Sequence, residues 1–327
     1  MQFGLFLNAQ APVEDDPGSL VDGLIAQTRA ARDAGFDLIS VGQHYVADYV
    51  QLQLVPLLGR LAPEAGDMTL SSGILLQPLH HPVEVAEQFT TLRALGNEVI
   101  VGVGAGYRDA EFEAFGIPKR ERAGRLHEAV ELMNRLWTEE AVTYDGRFYS
   151  VEDLTICPRP PEKPPVWIAG NARPAVERAA RVGDAWFAPP HSTVSEVSDF
   201  KTQYDAIRRE RGVDTGIPIF REAFVADTRA EALETAGAFL EDKYRRYLEW
   251  GQGESMESGA ELDRPFADLA EDRFLIGTPE DVAAEAKRYE DALDVSHLVL
   301  RVQWPGLPYD DAVECIERLG DEVLPAV

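Results

Sequence analysis

Short apolar runs alternate along the chain with longer stretches that read as helices. The runs are FGLFLN (3–8), DLISVG (37–42), MTLSSGI (68–74), VIVGVG (99–104), PVWIAG (165–170), DAWFAP (184–189), PIFREAFVA (218–226) and HLVLRV (297–302). Most are continuously apolar, the pattern of strands buried on both faces of a parallel sheet. Helix-like stretches cover 19–35, 81–96, 122–137, 173–183, 197–212, 278–293 and 308–320. In one of them Leu126, Val130, Met133 and Trp137 share a face at 3–4 spacing. Ser19 predicts an N-cap and Gly35 a stop, while Pro82, Thr278 or Pro279, and Pro308 predict further helix starts. Eight strands alternating with helices predict an α/β fold of (β/α)8 TIM-barrel type, in a single domain over 1–327; an open doubly wound sheet is the alternative.

Two segments interrupt the alternation. VTYDGRFYSV (142–151) alternates about Asp145-Gly146 and predicts a hairpin insertion before strand 5. The stretch 238–276, centred on GQGESMESGAELDRP, is polar, glycine-bearing and poor in apolar residues. It predicts a lid-like insertion between strands 7 and 8, mobile near 245–270 and closing over the site.

Charge narrows the function. Acidic residues number 57 against 31 basic ones, a formal net charge of −26. That balance opposes nucleic-acid binding, which needs clustered cations, and docking on an anionic membrane. No apolar run approaches the roughly 18 residues of a membrane span, and the N-terminus lacks the basic region of a secretory signal. Two cysteines, Cys157 and Cys315, make no disulfide framework or zinc motif and read as reduced thiols of a cytoplasmic protein. Only Lys119, Lys163, Lys201, Lys243 and Lys287 are lysines, so the surface is dense in carboxylate and poor in lysine. This suits a halophilic, salt-filled cytoplasm; an acidic mesophile is the alternative.

In a (β/α)8 barrel the chemistry lies at the strand C-termini. That rule selects Asn8, Gln43-His44-Tyr45, Gly73 to Pro78, Gly104-Ala105-Gly106-Tyr107, Gly170-Asn171-Ala172-Arg173, Pro189 to His191 and Gln303 to Gly306. No HxH or HExxH metal motif exists, and His80-His81 point apart at a helix start, so no metal site is expected. Gly102, Gly104 and Gly106 fall short of a dinucleotide fingerprint but permit close approach of a flat ligand. The turn Gly170–Arg173 runs into a helix and reads either as a phosphate site or as an ordinary βα turn.

These segments together resemble the bacterial luciferase-like superfamily of flavin- and deazaflavin (F420)-dependent oxidoreductases. The resemblance is carried by GFDLISVGQHY (35–45), SSGILLQPLHHPVEVAEQFTTL (71–92), VGVGAGYRDAEFEAFG (101–116), GRFYSVEDLTICPRP (146–160), VWIAGNARPAVERAARVGDAW (166–186), FLIGTPEDVAAEAKRYEDAL (274–293) and LRVQWPG (300–306). It implies a TIM barrel holding a flavin-type ring, with a non-proline cis peptide at Gly73–Ile74 behind it. It implies a cofactor phosphate at Gly170, Asn171, Ala172 and Arg173, with Gly104, Ala105, Gly106 and Tyr107 assisting, and a catalytic histidine at His44. The chain departs from luciferases in carrying Ala105 where they have a phosphate-gripping arginine, and from many relatives in carrying Gly96-Asn97-Glu98 where they have Ser-Gly-Gly-Arg.

The resemblance implies a homodimer or higher homo-oligomer acting on a small organic molecule. The leading reading is monooxygenation with reduced FMN and O2, fed by a separate flavin reductase; the alternative is hydride transfer with F420. A metal-dependent barrel hydrolase and a non-catalytic flavin-binding protein are the rivals from other classes.

Overall fold

Alternate residues of each apolar run enter different environments. Leu5 and Leu7 pack outward against helices, while Phe6 joins Leu38, Ile100, Trp167, Ala185, Phe187, Phe220 and Val299 in a separate inner cluster. One side chain from each of several strands meeting at an axis is the interior of a closed barrel. A computed structural model describes residues 1–250, 262 and 264–327 and shows this closure directly.

We number the strands of the main sheet β1 (Gln2–Leu7), β2 (Leu38–Val41), β3 (Thr69–Ser72), β4 (Val99–Gly104), β5 (Val166–Ala169), β6 (Ala185–Phe187), β7 (Ile217–Val225), β8 (Leu275–Gly277) and β9 (Val295–Arg301). All pairings among them are parallel, in the order β6-β5-β4-β3-β2-β1-β9-β7-β8. Ala188 then bridges Ile219 in parallel, joining the end of β6 to β7 and closing eight strands into a ring. β8 lies outside that ring and pairs only with the C-terminal end of β7, Ala223 to Val225. The eight predicted strands are all present, and β8 is an addition that the apolar pattern of 274–277 did not disclose.

The helices are α1 (Pro17–Asp33), α2 (Leu54–Ala65), α3 (Pro82–Ala94), α4 (Asp109–Ala114), α5 (Arg122–Thr138), α6 (Arg173–Val182), α7 (Val194–Glu210), α8 (Arg229–Glu249), α9 (Phe266–Ala270), α10 (Pro279–Leu293) and α11 (Tyr309–Arg318). Their apolar faces cover the outer side of the sheet. α1 begins two residues before the expected cap: Asp16 accepts the Ser19 N–H at 3.0 Å and Pro17 occupies the first turn. Thr278 caps α10 in a reciprocal pair with Asp281, as the sequence predicts. The hairpin pairs Val142–Asp145 with Ser150–Leu154, but its loop spans four residues, since Asp145 already faces Ser150.

Part of the expected lid-like insertion over 238–276 is regular structure. Residues 238–249 complete α8, whose Ala232, Ala236, Leu240 and Tyr244 form one buried face. That 3–4 spacing begins before residue 238 and continues past it, so the helix is amphipathic throughout. Further on lie α9 and β8. The expected mobile centre, 251–261 with 263, lies outside the described residues. No described helix is long and apolar enough to cross a membrane.

Candidate active site

The strand C-termini surround a cavity of about 400 Å³. Its base is a stack of rings: Phe6 on Phe220 at 4.5 Å between centroids, and Phe187 on Phe220 at 6.2 Å. These inward positions on β1, β6 and β7 follow from strand alternation, and the rings shut the cavity off from the barrel below. His44, Gly73, Ile74, Gly104, Ala105, Gly106, Tyr107, Gly170, Asn171 and Ala172 all line it. The Gly73–Ile74 peptide is cis, as the resemblance implies. A Cβ on Gly104 would stand 1.9 Å from Ile74 Cδ1, so glycine is what lets Ile74 lie against β4 and form one wall.

Arg173 is the exception among the expected residues. It is exposed, and its guanidinium lies over the Phe200 ring at 5.3 Å, outside the cavity lining. As the first residue of α6 it projects toward α7, and the helical repeat instead brings Arg178 to the cavity, beside Arg122 from the start of α5. Among the described residues neither the Arg122 nor the Arg178 guanidinium has a hydrogen bond or an ion pair. Burial and the neighbouring Arg122 both push the Arg178 guanidinium below its usual range. Ala172, the N-cap of α6, has no side chain to cap the first helical turn, Pro174 brings no N–H, and the Ala175 N–H donates to the Ala172 carbonyl at 2.9 Å.

His44 is held from behind. Its Nδ1 lies 2.9 Å from Glu111 Oε1, which also accepts the Tyr45 N–H at 3.0 Å. Arg108 Nη1 donates to the Tyr45 carbonyl at 2.9 Å and lies 3.5 Å from Glu111. The Arg108 guanidinium is covered by the Trp250 ring at 4.2 Å. Glu111 is fully buried, and its Oε2 has no partner. A buried carboxylate on Nδ1 fixes the ring and leaves Nε2 as the nitrogen without a protein partner. Gln43 braces the next layer: it donates to Tyr45 Oη at 2.9 Å and accepts the Leu76 N–H at 3.1 Å.

Titratable neighbours are held neutral. Burial lowers His80, and burial pushes the Tyr45 phenol up to about 12. Burial, reinforced by Glu111, raises Tyr107. His191 is lowered to about 3 by burial first and then by Arg221 and Arg273. His81, read as a helix-start residue, accepts the Val83 N–H at 3.3 Å through Nδ1. Among the described residues no group of three or more His, Cys, Asp or Glu could hold a metal ion.

Sequence reading missed Glu111, Arg122, Arg178 and Arg301, and the covering pair Tyr247 and Trp250. Arg108 and Glu111, three apart about a helix start, carried a weak signal. The unpaired state of Arg122 and Arg178 exists only once the strands bring α5 and α6 together.

A barrel with a closed ring floor, a cavity at the strand C-termini and a histidine–carboxylate pair at its edge defines the class of protein. Residues 1–295 match the luciferase-like monooxygenase family, and the chain belongs to it. It is 26% identical over 330 residues to the F420-dependent glucose-6-phosphate dehydrogenase of Intrasporangium calvum, covering 93% of this chain and 94% of that protein. Its fold matches the monooxygenase RslO1 of Streptomyces bottropensis with a TM-score of 0.87 at 23% identity over 99% of both chains. It also matches an F420-dependent secondary alcohol dehydrogenase in complex with an F420–acetone adduct, with a TM-score of 0.80 at 20% identity over 100% of this chain and 98% of that one.

Proposed function

We propose that the protein is an oxidoreductase that transfers a hydride between a deazaflavin of the F420 type and a small substrate bearing a hydroxyl or carbonyl group. Relatives aligned along nearly the whole chain are F420-dependent dehydrogenases, which moves the balance from reduced FMN toward the F420 alternative. The observation that carries the reading is the His44–Glu111 pair at the cavity edge. Dehydrogenation of an alcohol must release a proton as the hydride leaves, and an imidazole backed by a buried carboxylate is built to take it.

The residues present fit such a cofactor. The Gly104–Ile74 contact and the small residues Ala105, Gly106, Gly170 and Ala172 leave a smooth wall for a flat ring. Arg122 and Arg178 would hold the phosphate of its tail. When bound, a deazaflavin supplies a two-electron hydride acceptor that does not activate O2.

The chain's own residues do the rest. His44 Nε2 accepts the substrate hydroxyl proton, and Glu111 keeps the ring in register and stabilises its charged form. Arg108, with Trp250 over it, positions Glu111. Tyr247 and the Phe6–Phe220 stack exclude water.

FMN monooxygenation is the second reading, supported by the same phosphate-accepting mouth. We further read residues 1–327 as one domain of a cytoplasmic homo-oligomer, and the charge of −26 as a salt-adapted surface. Titrating the purified protein with F420 and with FMN decides the cofactor. Tight F420 binding with loss of the oxidised-cofactor absorbance on adding an alcohol is expected; FMN binding with substrate-dependent O2 uptake would overturn it.

A further inference from the structure

The cavity sorts charge against the trend of the whole molecule. The chain holds 57 acidic and 31 basic residues, yet among the described residues no aspartate or glutamate lines the cavity, while Arg122, Arg178 and Arg301 do. Two of these arginines stand at the α5–α6 side. The third is alone and comes from elsewhere.

Arg301 ends β9. In a closed ring ordered β6-β5-β4-β3-β2-β1-β9-β7, β9 stands four strands from β4 and β7 four strands from β3. The Ile74–Gly104 wall and the Arg301 wall therefore face each other across the barrel. A flat ring held against Ile74 would leave Arg301 on the opposite side of the cavity, where a substrate could meet it.

The wall is built for a charge. The Arg301 guanidinium lies over Phe6 at 5.2 Å and Phe220 at 4.9 Å. Its Nε donates to Glu222 Oε2 at 2.9 Å and its Nη2 to Glu222 Oε1, whereas its Nη1 makes no hydrogen bond to the protein. Glu222 cannot neutralise it alone. The same fully buried carboxylate also takes Lys243, the Trp304 indole N–H at 2.7 Å and the Tyr244 hydroxyl at 3.2 Å. Two cations share one carboxylate, and a buried positive charge is left over. A buried charge of this kind is tolerated when a counter-charge arrives. Asn8, two residues beyond Phe6 on the same face, supplies a second donor. It is 2% exposed, lines the cavity, and its Nδ2 has no partner.

We propose that Arg301 Nη1 and Asn8 Nδ2 form an oxyanion subsite, so that the substrate carries a carboxylate or phosphate as well as its hydroxyl or carbonyl group. This rests on the F420 reading for what lies opposite, but the subsite itself is testable without turnover. Lactate, glycerol 3-phosphate and propane-1,2-diol are titrated calorimetrically at fixed ionic strength, into the protein saturated with F420 and into the protein alone. We expect one of the two anions to bind about tenfold or more tightly than the diol, and R301Q and N8A each to weaken that anion about tenfold. Which anion wins separates carboxylate from phosphate recognition. R301Q leaves Glu222 paired with Lys243; should it fail to fold, K243M removes the surplus charge without touching the guanidinium and carries the same expectation. Equal binding of diol and anions, anion binding unchanged in R301Q, or anion binding to the F420-saturated protein lost in R178Q but kept in R301Q, each overturns the subsite. Failure of F420 to bind, with R301-dependent anion binding intact, sinks the cofactor reading and leaves the subsite standing.

Discussion

Ile74 Cδ1 occupies the space that a Cβ on residue 104 would enter, at 1.9 Å. The two residues sit on neighbouring chain segments, since Leu75 and Leu76 pair with Val103 and Gly104. Gly104→Ala would displace the end of the Ile74 side chain into the cavity. The expected result is cofactor affinity lowered tenfold or more with a stability loss of only about 1–3 kcal/mol. Calorimetric titration and thermal melting measure the two separately; unchanged affinity would mean that the wall does not meet the ring.

The His44–Glu111 pair predicts a division of labour. His44→Asn should lower kcat by about 10²–10⁴-fold with little change in cofactor affinity. Glu111→Gln should also lower kcat, and it should move the pH profile, since the imidazolium loses its counter-charge. A flat pH profile shared by the wild type and Glu111→Gln would count against His44 as the base.

Among the described residues Arg122 and Arg178 have no carboxylate partner, so replacing them leaves no orphaned anion there. Arg178→Gln and Arg122→Gln should each weaken cofactor binding about tenfold while leaving thermal stability unchanged or slightly raised, because like-charge repulsion is relieved. The affinity of the wild type should fall as salt is raised. A salt-independent affinity would place the phosphate elsewhere.

His297 packs its ring 4.8 Å from Trp167 beneath the barrel interior, and burial lowers it to about 4. The unfolded chain therefore binds a proton from about pH 6.5 downward that the folded chain refuses until about pH 4. The stability contribution is whole above pH 6.5 and is lost as pH falls toward 4, by about 2–3 kcal/mol. Denaturant titrations from pH 4 to 7 should show a shallower acid loss in His297→Gln than in the wild type. Equal slopes would refute the assignment.

A charge of −26 should make stability depend on salt. Repulsion reaches about 30 Å at 0.01 M salt and about 3 Å at 1 M, so Tm should rise across that range of KCl. An unchanged Tm would remove the halophilic reading.

The barrel was legible because burial on both faces leaves a continuous apolar run, and eight such runs each became a strand. The polar composition of 251–260 obscured α8, whose apolar face is as regular as any other but begins well before it, at Ala232 and Ala236. β8 was invisible for a different reason. Phe274, Leu275 and Ile276 suit a strand or a buried helix turn equally, and only the free edge of β7 decides between them.

By itself the sequence determined the strand ends, and with them His44, the Gly73–Ile74 step and the small residues of the cavity walls. Those positions depend on local periodicity and backbone freedom, which neighbours along the chain encode. Only the tertiary structure decided which charges meet. It took Arg173 out of the cavity and put Arg178 in. It set Glu111 behind His44 across 67 residues and Glu222 under Arg301 across 79. A side chain's partner depends on ring closure and on strand order, because β9 faces β4 only when Ala188 meets Ile219. No local pattern carries that information.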